Sequence, residues 1–277
     1  MIRTLLLFSL VLPCRVSGQT AKVDSFYAPS IGSTTRYSYL LPEHYDTLRS
    51  YPVLYLLHGY GGDHRNWTDL TDLASYGERL GVIIIMPDGA NSWYVNSAGE
   101  PRKRYEDLIV CDYPTHVEGR FAIDTTRRAI AGLSMGGYGA IMMSLRHPKQ
   151  FRFAGSLSGA LSIPGGIEFP EPYRAERGLK NLKVVFGEEK SRRDRHDPFM
   201  LYKGVPADSL PYLYFVIGTN DGFTTFLPAH RALTDSLRAY GAKHEYHELP
   251  GAHNWKLWGK EIRPLLLRMK DVLNGEN

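Results

Sequence analysis

Two cysteines among 277 residues are too few for a disulfide framework or a four-cysteine zinc site. No run reaches the roughly 18 consecutive apolar residues of a membrane-spanning helix. Charge of one sign is also scarce: 33 Lys and Arg against 29 Asp and Glu leave a formal +4, and no nucleic-acid partner is expected. The ten histidines form no H-E-x-x-H motif and no helical pair, so no metal is expected. Neither G-x-x-x-x-G-K-[ST] nor G-x-G-x-x-G occurs, which removes the usual nucleotide cradles, and no cofactor is expected. There is no internal repeat, low-complexity tract or linker. A composition of 43% hydrophobic and 12% aromatic residues excludes a disordered chain, and the length suits one large domain.

What is present begins with an address. Met1–Arg3 is a short basic region, and Thr4–Leu12 (TLLLFSLVL) is apolar for about the length of a signal-peptide core. Val16-Ser17-Gly18 places short residues at the −3 and −1 positions, so residues 1–18 read as a signal peptide cleaved before Gln19, and the protein as secreted or periplasmic. A lipoprotein reading through Cys14 fits poorly, because Pro13 precedes it. Cleavage removes Arg3, Arg15 and Cys14, which lowers the formal charge to +2 and leaves Cys111 alone, expected as a buried structural thiol with a reactive thiol as the alternative.

Beyond residue 18, short apolar runs alternate with longer amphipathic ones, the pattern of βαβ units around a mostly parallel sheet. Strands are expected at Arg36–Leu41, Pro52–Leu57, Val82–Met86, Ala129–Leu133, Phe151–Leu157, Leu182–Phe186, Tyr212–Ile217 and Lys243–Leu249. Helices are expected at Asn66–Leu80, Tyr105–Tyr113, Met135–His147, Ala229–Tyr240 and Lys256–Leu273. Pro114 and Pro148 should stop the second and third, Gly241 suits the end of the fourth, and Pro264 should kink the fifth or delay its start. The stretch 162–211 breaks the pattern and reads as a cap-like insertion, with Lys190–His196 as a solvated basic loop.

The chemistry concentrates in short loops. Gly132-Leu133-Ser134-Met135-Gly136 fits G-x-S-x-G, preceded by an apolar strand and followed by a small-residue helix. A strand-to-helix turn this tight strains the serine backbone, and flanking glycines remove side chains that would collide there. Ser134 is therefore the candidate nucleophile. A serine hydroxyl needs a base within hydrogen-bond reach, and in a fold of this kind the chain order is serine, acid, histidine. Asp221 in Gly218-Thr219-Asn220-Asp221-Gly222 and His253 in Gly251-Ala252-His253-Asn254-Trp255 each follow an expected strand and fill those roles. An Asx turn at Asp221 and an ordinary loop histidine at His253 are the bland alternatives. Leu57-His58-Gly59-Tyr60-Gly61-Gly62 is a glycine-rich loop able to aim a backbone N–H at a developing oxyanion, with Met135 supplying the second. Trp93, Tyr94 and Trp255 stand near strand ends and are candidate substrate-binding aromatics, with plain packing as the alternative.

Together these blocks resemble the esterase D branch of the α/β-hydrolases, which includes tributyrin, feruloyl and acetyl-xylan esterases, S-formylglutathione hydrolases and mycolyltransferases. The resemblance rests on Tyr37–Pro42 (YSYLLP), Tyr51–Gly62 (YPVLYLLHGYGG), Met86–Gly89, Ala131–Gly139 (AGLSMGGYG), Gly218–Gly222 and Gly251–Trp255. It implies an α/β-hydrolase domain over residues 19–277, and nucleophile, acid and base at Ser134, Asp221 and His253. It also implies oxyanion amides at Tyr60 and Met135. The expected activity is a serine carboxylesterase acting on a small-molecule or oligosaccharide ester, feruloyl or acetyl groups on plant carbohydrate first. Acyl transfer to a sugar hydroxyl and a general short-chain esterase are the alternatives.

Overall fold

Strands whose every residue is apolar need cover on both faces. Val53–Leu57 and Ile83–Met86 meet that condition and are buried throughout. The computed structural model describes residues 21–168 and 181–276; the expected signal peptide and its cleavage point lie outside the described residues. Eight strands form one sheet: β1 (Lys22–Ala28), β2 (Ser33–Leu40), β3 (Tyr51–Leu57), β4 (Ile83–Pro87), β5 (Ile123–Leu133), β6 (Phe153–Leu157), β7 (Tyr212–Gly218) and β8 (His244–Leu249). The spatial order is β1-β2-β4-β3-β5-β6-β7-β8. From β4 to β8 neighbours run parallel, while β2 meets β4, and β1 meets β2, antiparallel.

Three long helices cover the faces: α1 (Met135–Arg146), α2 (Phe226–Tyr240) and α3 (Trp255–Asn274). Helices α1 and α2 share a hydrophobic cluster with Val53, Tyr55, Ile130 and Phe215. Helix α3 packs on the opposite face with Leu54, Leu56, Ala129, Ala131 and Phe153. The period-2 alternation of strand side chains divides the central strands, β3 to β7, between the two clusters. This is the α/β-hydrolase fold. Among the described residues no helix is long and apolar enough to cross a membrane.

Several expectations need correction. Leu182–Phe186 is a short helix, not a strand. A five-residue apolar run does not declare its period, and here Leu182, Val185 and Phe186 turn inward while Val184 faces out. Strand β1 was unforeseen, because only Phe26 and Ala28 pack on the core, while Lys22, Val23, Ser25 and Tyr27 are exposed, which leaves too short an apolar run to declare a strand. The expected helix Asn66–Leu80 is broken into Asn66–Asp69, Leu73–Tyr76 and a 3₁₀ turn Gly77–Leu80. The break falls at Thr71, whose hydroxyl donates to the Trp67 carbonyl and accepts from Leu73 N–H at 3.1 Å.

Pro114 does not stop its helix, which runs on to Glu118 through a π turn at Leu108–Asp112. The carbonyl four residues before this proline, Val110, accepts from Gln150 Nε2 at 2.8 Å instead. Helix α3 begins at Trp255, so Pro264 does not delay it. Cys111 is exposed: it points outward from the π turn while Leu108, Ile109 and Val110 point inward. The basic run is not a solvated loop, because Lys190–Asp194 is helical and both Arg193 and His196 are buried. Tyr138 OH donates to the His196 carbonyl at 2.7 Å, and Arg146 Nη1 donates to the Arg195 carbonyl at 2.5 Å.

Candidate active site

The turn between β5 and α1 carries Ser134 at φ 51° and ψ −115°, a conformation that few non-glycine residues adopt. Its geometry needs bare backbone on either side. A Cβ on Gly132 would stand 2.5 Å from the Gly136 carbonyl carbon, and one on Gly136 would stand 2.6 Å from the carbonyl oxygens of Leu57 and His58. Ser134 N–H donates to the Leu157 carbonyl at 2.9 Å, while the Ser134 carbonyl accepts from Tyr138 and Ala160. The serine is thus pinned between β6 and the first turn of α1, with Met135 buried at the head of that helix.

The loops after β7 and β8 are tied to each other. Thr219 N–H donates to the Leu249 carbonyl and Asn220 N–H to the Gly251 carbonyl, both at 2.9 Å. This brings Asp221 and His253 together. His253 Nδ1–H donates to Asp221 Oδ2 at 2.8 Å, and His253 Nε2 lies 2.9 Å from Ser134 Oγ, placed to accept the hydroxyl proton. The second Asp221 oxygen accepts from Phe223 N–H at 2.9 Å. Its side chain is wholly buried, and that of His253 is 13% exposed. Phe223, Phe226 and Trp258 surround the imidazole with ring centroids at 4.8, 5.6 and 4.9 Å.

The loop after β3 lies against the serine. A Cβ on Gly59 would come within 3.5 Å of Ser134 Cβ. Gly62 N–H donates to the Gly59 carbonyl at 3.1 Å, closing a four-residue turn around Tyr60 and Gly61. Gly61 has φ +78°, the positive value that a type II turn requires at its third position. Beneath it, buried His58 accepts from Gly89 N–H through Nε2 at 2.9 Å. Its Nδ1 faces the Gly59 carbonyl at 2.8 Å, so the ring is the Nδ1–H tautomer donating there.

A cleft of about 420 Å³ opens over Ser134 and His253, walled by Tyr60, Asn66, Leu70, Phe223 and Trp255. Trp255 therefore stands where a substrate-binding residue should. Trp93 and Tyr94 do not line the cleft. Tyr94 is fully buried under Gly89 and Gly139, its hydroxyl donating to the His58 carbonyl at 3.1 Å. Trp93 is 2% exposed and packs against the back of Tyr60, with ring centroids 5.6 Å apart. Asn66, Leu70 and Phe223 were not anticipated. Only Phe223 had a signal, two residues after the candidate acid.

The sequence pattern of the family described as "Putative esterase" matches residues 28–269. The chain belongs to this esterase family. It is 29% identical over 220 residues to an acetyl esterase of Caldicellulosiruptor saccharolyticus, covering 76% of this chain and 80% of that protein. It is 31% identical over 250 residues to the diacylglycerol acyltransferase/mycolyltransferase Ag85B of Mycobacterium leprae, covering 80% of this chain and 76% of that one. A solved ferulic acid esterase superposes with a TM-score of 0.74 at 22% identity, over 92% of this chain and 98% of that chain. Likeness at that identity bears on the fold.

Proposed function

We propose that the protein is an exported serine carboxylesterase that removes feruloyl or acetyl groups from plant carbohydrate, with Ser134, His253 and Asp221 as its catalytic triad. The observation that carries the reading is the position of His253, hydrogen-bonded at once to Ser134 Oγ and Asp221 Oδ2. His253 Nε2 takes the hydroxyl proton as Ser134 Oγ attacks the ester carbonyl. The tetrahedral oxyanion rests on the backbone N–H groups of Tyr60 and Met135, the latter at the head of α1 where the helix favours negative charge. Asp221 holds the tautomer and stabilises the imidazolium. His253 then protonates the leaving alcohol, the bond between acyl carbon and alkoxy oxygen breaks, and water repeats the sequence to free the acid.

The acetyl esterase relative supports a small acyl group. The open cleft with aromatic walls at Tyr60, Phe223 and Trp255 suits a sugar ring on the alcohol side, and the same walls accommodate a feruloyl ring. A second reading, acyl transfer to a sugar hydroxyl, draws on the mycolyltransferase relative and on how open the cleft is. Export rests on the composition of residues 1–18.

An ester panel of acetylated xylan, methyl ferulate and nitrophenyl acetate, run with and without a sugar acceptor, tests the substrate class. Free acid as the sole product supports hydrolysis, and an acylated sugar supports transfer. Ser134→Ala should lower kcat by about 10⁴-fold or more in a folded protein. Near-normal hydrolysis by that variant would remove Ser134 from the mechanism.

A further inference from the structure

Ser158 follows β6 and has φ 49°, a backbone value that glycine adopts freely and other residues seldom do. Such a conformation persists only where its surroundings determine it. Here two contacts do so. Ser158 N–H donates to the Val216 carbonyl of β7 at 2.7 Å. The buried hydroxyl accepts from Trp258 Nε1, in the first turn of α3, at 3.2 Å. Glycine could make the first bond without strain, so the side chain is what the serine adds.

Nucleophile and base both reach this residue. Its neighbours grip Ser134 by the backbone: the Leu157 carbonyl accepts from Ser134 N–H at 2.9 Å, and Ala160 N–H donates to the Ser134 carbonyl at 3.1 Å. Its side chain reaches His253 through a ring. Trp258 meets the imidazole edge to face, with centroids 4.9 Å apart and planes at 88°. Apart from its reacting contact with Ser134, the imidazole is tied by one hydrogen bond, to Asp221. It can still pivot about that bond, so the rings packed on it limit its swing. Phe223 and Phe226 also pack there, but a phenyl ring has no polar atom by which to be tied. Trp258 is the wall that is anchored, and its anchor lies in the segment that holds the nucleophile.

The structure assigns Ser158 a positioning role: through Trp258 it holds the His253 ring at the distance and angle from Ser134 Oγ that proton transfer requires. The inference rests on the triad reading above. Proton transfer belongs to the chemical step and depends steeply on the alignment of its partners. Loss of the anchor should therefore appear in kcat, with KM little changed. It should equally slow the reaction of Ser134 with a fluorophosphonate, which uses the same base and no carbohydrate.

The test uses the full chain with Ser158→Ala, which keeps the strain and loses the hydroxyl, and Ser158→Gly, which loses both. Each should lower kcat for nitrophenyl acetate by about tenfold or more, with KM within about threefold. Fluorophosphonate labelling of Ser134 should slow by a similar factor. Ser158→Gly should nonetheless melt about 2–4 °C above Ser158→Ala, because glycine relieves the backbone. Activity then follows the hydroxyl, while stability follows φ. A second measurement isolates the indole N–H. In a Trp258→Phe background there is no donor to anchor, so Ser158→Ala should change kcat by less than about twofold. Three results overturn the positioning role and leave the triad standing. They are unchanged kcat in both Ser158 variants, activity restored by glycine in step with the melting temperature, or a Ser158→Ala loss as large beside Trp258→Phe as in the parent. A parent protein that cleaves no ester and whose Ser134 takes up no fluorophosphonate overturns both readings.

Discussion

Gly136 shows how one missing side chain sets the site. An alanine there would gain about 1 kcal/mol in helix propensity, since Gly136 lies in the first turn of α1. Its Cβ would also stand 2.6 Å from two backbone carbonyl oxygens, those of Leu57 and His58. Backbone at the end of a buried strand does not step aside as a flexible side chain would, and overpacking of this kind costs about 1–3 kcal/mol. The clash therefore outweighs the propensity. Gly136→Ala should lower the melting temperature by several degrees. It should also cut ester hydrolysis, because the displaced carbonyls belong to the strand end that carries Tyr60. A variant that melts higher than the parent would show that the loop yields freely.

At the scale of elements, Pro264 inside α3 is the least expected feature. The helix passes through it with Leu265, Leu266 and Met269 buried beyond, so packing of one apolar face outweighs the loss of one backbone hydrogen bond. Pro264 itself is exposed. Pro264→Ala should stabilise the protein by about 1 kcal/mol or more, seen as a rise of roughly 2–4 °C in melting temperature. A fall would mean that proline stiffens the unfolded chain more than it weakens the helix.

The same balance explains which elements the sequence disclosed. The strands before Ser134 and Asp221 were legible because each is an apolar run ending in a glycine-bearing loop, whereas β8 (HEYHEL) before His253 is largely polar and half-buried. Leu182–Phe186 was misread because five apolar residues suit a strand or a buried helical turn equally well. Pro114 misled because the partner that replaces its missing donor, Gln150, lies across the fold.

At the scale of the molecule, two buried histidines set the response to acid. Burial holds His196 at about 4, with Arg146 and Arg192 adding to the effect and Glu106 opposing it. Burial likewise holds His230 at about 4, against the pull of the Phe226 carbonyl and the Asp221 carboxylate. Between pH 6.5 and about 4 the unfolded chain binds protons that the folded one refuses, so stability falls as pH falls through that window. Each histidine contributes roughly 3 kcal/mol at the lower end. Glu106 adds to the trend. Its burial raises its pKa, but His147 and Arg146 outweigh that and hold it below the ordinary glutamate value, so its contribution disappears below about pH 4.5. Urea melts at pH 7, 5.5 and 4.5 should show a steady decline, shallower in His230→Gln. A flat profile would mean that both rings accept protons in place.

The sheet order carries one more consequence. Acid and base come from β7 and β8 at one margin, while the Tyr60 turn comes from β3, on the other side of β5 and its serine. On the proposed mechanism, a chain with β7 or β8 undocked holds a nucleophile without its base, and one with β3 undocked lacks the Tyr60 N–H for the oxyanion. Half-formed protein should therefore hydrolyse esters poorly. Activity regained during refolding becomes a clock for the last strand to arrive, and it should lag behind any optical signal from the central strands.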